Sequence, residues 1–161
     1  MRILIISDTH SEDMVFADVV RDAGHYDVLI HAGDAEGSED IYEEVCGTPF
    51  YYVAGNNDFF TAAPYDMDLE LCGHRIFLTH GHHYMVSATE SEVIDEGRDR
   101  HAKIVIYGHT HRPSCKKFKG MLVLNPGSLA FPRQPGRLPS YILLDLEEGR
   151  EPEARICYVE M

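Results

Sequence analysis

Five short segments of the chain end in side chains able to bind metal, and most of them directly follow an apolar, strand-like run. In order they are Asp8-Thr9-His10, Gly33-Asp34, Gly55-Asn56-Asn57-Asp58, His80-Gly81-His82 and Gly108-His109-Thr110-His111. A parallel sheet gathers the ends of its strands along one edge. Residues far apart in sequence would then meet in one cleft carrying carboxylate, amide and imidazole groups.

The runs themselves read as follows. Arg2–Ser7, rich in Ile and Leu, reads as a buried strand. Ser11 to Ala23 has helical apolar spacing through Met14, Val15, Ala17, Val19 and Val20, with Ser11 as N-cap and Gly24 as stop. Asp27–His31 is a second strand, Ser38 to Cys46 a second helix closed by Gly47, and Phe50–Val53 a third strand. Strand–helix–strand–helix–strand predicts right-handed crossovers and a parallel sheet. Met67–Leu71 and Arg75–Thr79 then flank a hairpin turn at Cys72-Gly73-His74, and Thr89 to Ala102 is a charged helix-like stretch. Lys103–Tyr107 is a further strand; Cys115–Phe118, Met121–Leu124, Ser140–Leu146 and Ala154–Val159 make a strand-rich final third. Phe131 to Pro139 reads as a surface loop. No repeat or linker divides the chain, so residues 1–161 are expected to form one domain.

Charge narrows the function. A formal net charge of −13 disfavours a nucleic-acid polymer or an anionic membrane as partner. An anionic substrate would need local positive charge, which metal ions could supply. The run Ile3 to Ile6 is far too short to span a bilayer, and the start lacks the features of a signal peptide, which predicts a cytoplasmic protein. Cys46, Cys72, Cys115 and Cys157 form no CxxC pair and read as reduced thiols.

Taken singly, Asp8, Asp34 and Asn56-Asn57-Asp58 read as caps or turns, and His80 as a hydrogen-bonded core histidine. His109 and His111, two histidines at one strand end, can reach the same or adjacent metals. Independent turns would rarely all choose ligand residue types. His25, His74 and His101 lack this context and are assigned to the surface.

The set D-x-H, G-D, G-N, H and G-H-x-H resembles the calcineurin-like metallophosphoesterase superfamily. More narrowly the chain is similar to small YfcE-type phosphodiesterases, through its length, His80-Gly81-His82, and the tail Asn125-Pro126-Gly127-Ser128 with Pro132-Arg133 and Pro139-Ser140-Tyr141. The resemblance implies an α/β fold, a four-layer α/β/β/α sandwich of two mixed sheets. It also implies two divalent metal ions. One would take Asp8, His10, Asp34 and His111, the other Asp34, Asn56, His80 and His109, with Asp34 bridging. Mn²⁺ is the expected ion, and Ni²⁺, Zn²⁺, Fe²⁺ and Mg²⁺ suit the same donors.

The implied reaction is hydrolysis of a small phosphodiester by in-line attack of a metal-bridging hydroxide. Asp34, Asn57 and His82 are the candidate catalytic residues. Asn57 stands where phosphomonoesterases of this superfamily carry a proton-donating histidine, which predicts a preference for aryl diesters with good leaving groups. His82 is the next candidate acid, or a residue that only hydrogen-bonds near the metals. Asp58 reads as orienting its neighbours, a ligand histidine among them, rather than as a ligand itself. Asn125–Ser128 reads as a structural turn, in preference to a loop that supports the metal-site histidines. Arg133 reads as a solvated side chain or a phosphate contact; Phe59 and Phe60 would stack on a leaving group or form a subunit contact. The alternatives are a non-catalytic protein scaffold, like retromer's small subunit, and a phosphomonoesterase or nucleotide pyrophosphatase. A homo-oligomer is compatible with the family.

Overall fold

β1 (Arg2–Ile6) is buried on both faces, because helices cover one side of its sheet and a second sheet covers the other. In a computed structural model, which describes residues 1–160, Ile3 and Ile5 point to the inter-sheet core while Leu4 and Ile6 point to the helices. This is the alternation of a strand with no solvent face, and it explains the unbroken apolar run. Each such Ile or Leu contributes about 1.5–3 kcal/mol by leaving water.

Among the described residues, ten strands and three α-helices follow one another as β1, α1 (Asp13–Asp22), β2 (Val28–His31), α2 (Glu39–Cys46), β3 (Phe50–Tyr52), β4 (Asp66–Leu71), β5 (His74–Thr79), α3 (Ser91–Asp99), β6 (Ile104–Ile106), β7 (Ser114–Phe118), β8 (Met121–Asn125), β9 (Ser140–Asp145) and β10 (Glu153–Tyr158), with a short 3₁₀ helix at His82–Tyr84. The first sheet has the order β10-β9-β1-β2-β3, with β1, β2 and β3 parallel and β9 antiparallel to both of its neighbours, β1 and β10. The second is β4-β5-β6-β8-β7, with β5, β6 and β8 parallel. Ile30, Ile76, Leu78, Ile104, Ile106, Leu122, Leu124, Ile142 and Leu144 fill the space between the sheets. Phe16, Val19 and Tyr42 pack α1 and α2 against the first sheet, and Val93 and Ile94 pack α3 against the second. The four-layer α/β/β/α arrangement is therefore present, built from two mixed sheets.

Local details depart from the sequence reading. Ser11 does not cap α1: it has φ 63°, and its hydroxyl donates to Ala35 O and Glu36 O. The N-cap is Glu12, which makes no side-chain capping bond. α3 is shorter than Thr89–Ala102, because His101 turns left-handed (φ 59°) and Ala102 N bonds back to Gly97 O. The hairpin turn is Cys72-Gly73 alone, both at positive φ, with His74 already paired to Leu71. His74 is buried rather than at the surface, and its Nε2 bonds Glu147 O at 3.1 Å. Among the described residues, no helix is long and apolar enough to cross a membrane.

Candidate metal centre

Parallel strands of both sheets end at a common edge, and their ends carry the candidate ligands. Asp8 and His10 follow β1, Asp34 follows β2, Asn56 and Asn57 follow β3, His80 follows β5, and His109 and His111 follow β6. Leaving the strands requires sharp turns. Asp8, His10, Asp34, His109 and His111 all sit at positive φ, between 43° and 69°. Each such residue costs on the order of 1–3 kcal/mol, and strain of this kind persists only where its surroundings hold it. The holding bonds are visible. Asp8 N donates to Gly33 O and His10 N to Asp34 O, each at 2.9 Å. Ser128 Oγ donates to Asp8 O at 2.7 Å, and His109 N to Asp8 Oδ2 at 3.0 Å.

Two glycines are dictated by close approach. A Cβ on Gly55 would lie 2.0 Å from Asp34 Oδ1, and one on Gly108 would lie 2.1 Å from Ser7 Oγ and 2.7 Å from Asp8 Oδ2. The carboxylates thus occupy the space a side chain would need.

The donor atoms converge in two overlapping groups, Asp8–His10–His111 and Asp8–Asp34–His80, each with its ligand atoms within 4.8 Å of one another. His111 Nδ1 donates to Phe131 O (2.9 Å) and His80 Nδ1 to Ala32 O (2.7 Å), which turns each ring's Nε2 inward as the atom a cation would meet. His10 Nδ1 is taken by Glu36 Oε1 at 2.6 Å. His10 Nε2 and His111 Nε2 then face each other at 3.4 Å. Asp8 Oδ1 lies 3.1 Å from His111 Nε2 and 3.7 Å from His80 Nε2, is fully buried, and receives no hydrogen bond. Lone pairs and an unpartnered carboxylate oxygen aimed at one point are what a cation requires. Asp34 Oδ2 stands between the groups, 3.4 Å from His80 Nε2 and 4.0 Å from His10 Nε2. Asn56 Oδ1 joins His80 Nε2 (3.0 Å) to His109 Nδ1 (3.1 Å). All seven residues singled out as ligands therefore meet in one place, and Asp8 as well as Asp34 reaches both groups.

Charge at the site follows from this crowding. Burial works against ionised Asp8, but His80, His111 and the Ser7 hydroxyl outweigh it and hold its pKa below the usual carboxylate range. Burial likewise opposes Asp34, yet His80 and two hydrogen bonds from Asn57 lower its pKa further. Burial disfavours a charged His80, but Asp8 and Asp34 prevail and raise it to about 9. In the metal-free protein a proton on His80 balances part of the carboxylate charge.

The other candidates surround this centre. Asn57 donates to Asp34 twice, through its backbone N (2.9 Å) and Nδ2 (3.1 Å). Asp58 holds main chain rather than a histidine: Oδ2 accepts Asp34 N and Gly55 N, each at 2.7 Å, and Oδ1 accepts Glu36 N at 2.9 Å. His82 is half-buried beside His80 and His109, and its Nδ1 is buried without a partner. Burial and the neighbouring histidines push His82 down to about 4, so its ring is neutral at pH 7. The Asn125–Ser128 turn supports the site as well as shaping the chain: Asn125 Nδ2 donates to Gly108 O (3.2 Å) and Thr110 Oγ1 (2.9 Å). Arg133 is exposed, and its backbone N bonds His111 O. Phe59 and Phe60 are exposed and, with Glu36, Asn57 and Asp58, line a cleft of about 350 Å³ beside the centre.

Two residues at the site escaped the sequence reading, Glu36 and His31. His31 is fully buried. Gly33 N donates to its Nδ1 (3.1 Å), so the proton of the neutral ring is on Nε2 and is donated to Thr9 Oγ1 (3.0 Å). It thereby ties the Asp8 segment to the Asp34 segment. Its position in the both-faces-buried strand Val28–His31 was the available signal.

Burial pushes His31 down to about 4. A histidine with a depressed folded pKa leaves the unfolded chain holding the extra proton, so its stabilising contribution is complete above about pH 6.5 and falls as pH drops toward 4. His31→Gln should therefore flatten the pH dependence of metal-free stability in that window by about 1.4 kcal/mol per pH unit. Urea unfolding of chelated protein at several pH values measures this; equal slopes in both proteins would contradict it.

Comparison with known proteins agrees with this architecture. The pattern of the calcineurin-like phosphoesterase superfamily domain matches residues 1–149. A probable metallophosphoesterase of Mycoplasma pneumoniae is 31% identical over 152 residues, covering 92% of each chain. The crystal structure of a conserved Streptococcus pneumoniae protein, described as a predicted phosphoesterase, superposes with a TM-score of 0.79 at 30% identity, over 91% of this chain and 83% of that one. An archaeal phosphodiesterase superposes with a TM-score of 0.77 at 25% identity, over 99% of this chain and 100% of that one. With its residues 1–149 matched throughout and two sheets meeting at a ligand-lined edge, the chain belongs to the calcineurin-like phosphoesterase superfamily.

Proposed function

We propose that this protein is a phosphodiesterase dependent on two divalent metal ions, Mn²⁺ being the expected pair. The observation that carries the reading is the convergence of Asp8, His10, Asp34, His80 and His111 around a buried carboxylate oxygen with no hydrogen-bond donor. Asp8, His10, Asp34 and His111 would hold one ion; Asp34, Asn56, His80 and His109 would hold the other. Bound there, the ions would supply a water of lowered pKa and positive charge against the phosphate oxygens, inside a chain of net charge −13.

The chain's own groups define the rest. Asn57 holds both oxygens of Asp34 and has no proton to give a leaving group. His82 is neutral at pH 7, so its part is to offer an N–H hydrogen bond to a non-bridging phosphate oxygen, not a proton to the leaving group. A site without a strong acid works best on diesters whose leaving group departs as a stable anion. Strongly basic alkoxides lack the help that general acids give elsewhere, worth about 10²–10⁴-fold.

The test uses chelated protein restored with Mn²⁺, comparing bis(4-nitrophenyl) phosphate with 4-nitrophenyl phosphate and with a dialkyl phosphodiester, whose only leaving group is an alkoxide. We expect turnover of the aryl diester, little of the monoester, and none before metal is restored. His82→Ala should lower aryl and alkyl rates by the same factor. A selective loss on the alkyl leaving group would instead make His82 the acid, and equal aryl and alkyl rates in the wild type would contradict the acid-free site.

One observation favours a second reading. Phe59 and Phe60 are 77% and 102% exposed next to the centre, an apolar surface suited to holding another protein. A scaffold of that kind would bind metal without turnover.

A further inference from the structure

Glu36 lies two residues beyond Asp34, and nothing in its sequence context marks it. Its Oε1 is 2.6 Å from His10 Nδ1, a contact of charge-assisted length. The residue is itself fixed. Glu36 N donates to Asp58 Oδ1 (2.9 Å), Ser11 Oγ donates to Glu36 O (3.0 Å), and its φ is 54°. These bonds all involve its main chain, so the carboxylate is free to serve His10.

The other ligand histidines meet no carboxylate through Nδ1. His80 and His111 are held there by the main-chain carbonyls of Ala32 and Phe131, and His109 Nδ1 meets Asn56 Oδ1. A carbonyl fixes the tautomer of an imidazole; a carboxylate also increases the electron density on its opposite nitrogen. His10 Nε2, opposite Glu36, faces His111 Nε2 at 3.4 Å and Asp8 Oδ1 at 3.9 Å.

We infer that Glu36 is the positioning residue for His10, and that its carboxylate sets the metal affinity of the half of the site formed by Asp8, His10 and His111. The inference rests on the metal-binding reading above. It does not make Glu36 a ligand. The carboxylate acts through the imidazole, fixing the Nδ1–H tautomer and strengthening Nε2 as a donor. Because the Glu36 side chain is 37% exposed, removing it opens no core cavity. A purely structural role would therefore show in metal-free stability, and the proposed role would not.

Calorimetric titration of chelated protein with Mn²⁺ tests it, with thermal unfolding of the metal-free forms alongside. Glu36→Ala should weaken one of the two binding events by about 10–100-fold, leaving the other and the metal-free melting temperature unchanged. Glu36→Gln keeps an acceptor for Nδ1 but loses the charge, and should recover part of the affinity. Glu36→Gly relieves the positive φ and should still show the full loss. In Zn²⁺-loaded wild type, ¹⁵N NMR should find the His10 proton on Nδ1. Wild-type affinity in Glu36→Ala, or recovery in Glu36→Gly, would overturn the inference while leaving the phosphodiesterase reading intact. Absence of any metal uptake by the wild type would overturn both.

Discussion

Asp8→Asn should remove metal binding while leaving the metal-free fold intact. Asp8 Oδ2 accepts Ser7 Oγ at 2.6 Å and His109 N at 3.0 Å, and an asparagine carbonyl oxygen can accept both. The amide nitrogen then takes the place of Oδ1, 3.1 Å from His111 Nε2. The substitution thus keeps the shape and both accepted hydrogen bonds of a fully buried side chain while removing the charge a cation needs. Metal affinity and aryl-diester kcat/KM should both fall by more than about 100-fold, beyond the loss typical of groups that only support a ligand. The chelated protein should still fold, with a melting temperature lowered modestly because the attraction between Asp8 and the His80 imidazolium is lost. Metal titration and unfolding of chelated protein measure both halves. A large drop in metal-free stability would mean that Asp8 serves the fold first.

Gly55→Ala should do the reverse and damage fold and site together. The new Cβ would lie 2.0 Å from Asp34 Oδ1 and 2.7 Å from Asp34 N, and neither neighbour can yield freely. The Asp34 side chain is held by Asn57, and its backbone N by Asp58. Overpacking of this kind costs about 1–3 kcal/mol, and here the strain falls on the carboxylate proposed to serve both ions. Urea unfolding should show a loss of that size in metal-free protein, accompanied by loss of Mn²⁺ binding. Full stability would mean that the Asp34 loop relaxes without cost, and retained metal binding would mean that Asp34 tolerates displacement.

These two outcomes depend on features with different visibility in the sequence. The both-faces-buried strands were legible because Ile3–Ile6, Val28–Ile30 and Ile104–Ile106 are continuous apolar runs, which only a doubly covered sheet can accommodate. The candidate ligands were legible for a related reason: parallel strands place their ends at one edge, so Asp8, Asp34, Asn56, His80 and His109 had to lie near one another once the topology was right. What the ligands lean on was not legible. The partner of His10 is 26 residues away, that of His31 is 22 away, and Ser128 reaches Asp8 across 120. Such contacts depend on loop paths rather than periodicity. Ser11 shows the same limit, because its hydroxyl serves the Ala35–Glu36 loop in place of the helix beside it. His74 is buried, and its Nε2 meets Glu147 O of a distant loop, which its hairpin position alone could not indicate.

The most direct test of the proposed centre is the number of metal ions bound per chain, measured by elemental analysis while bis(4-nitrophenyl) phosphate hydrolysis is followed as Mn²⁺ is added back to chelated protein. We expect two ions per chain, turnover that rises with their uptake, and loss of both in Asp34→Asn. Two tightly bound ions with no turnover, or turnover that persists in fully chelated protein, would contradict the account.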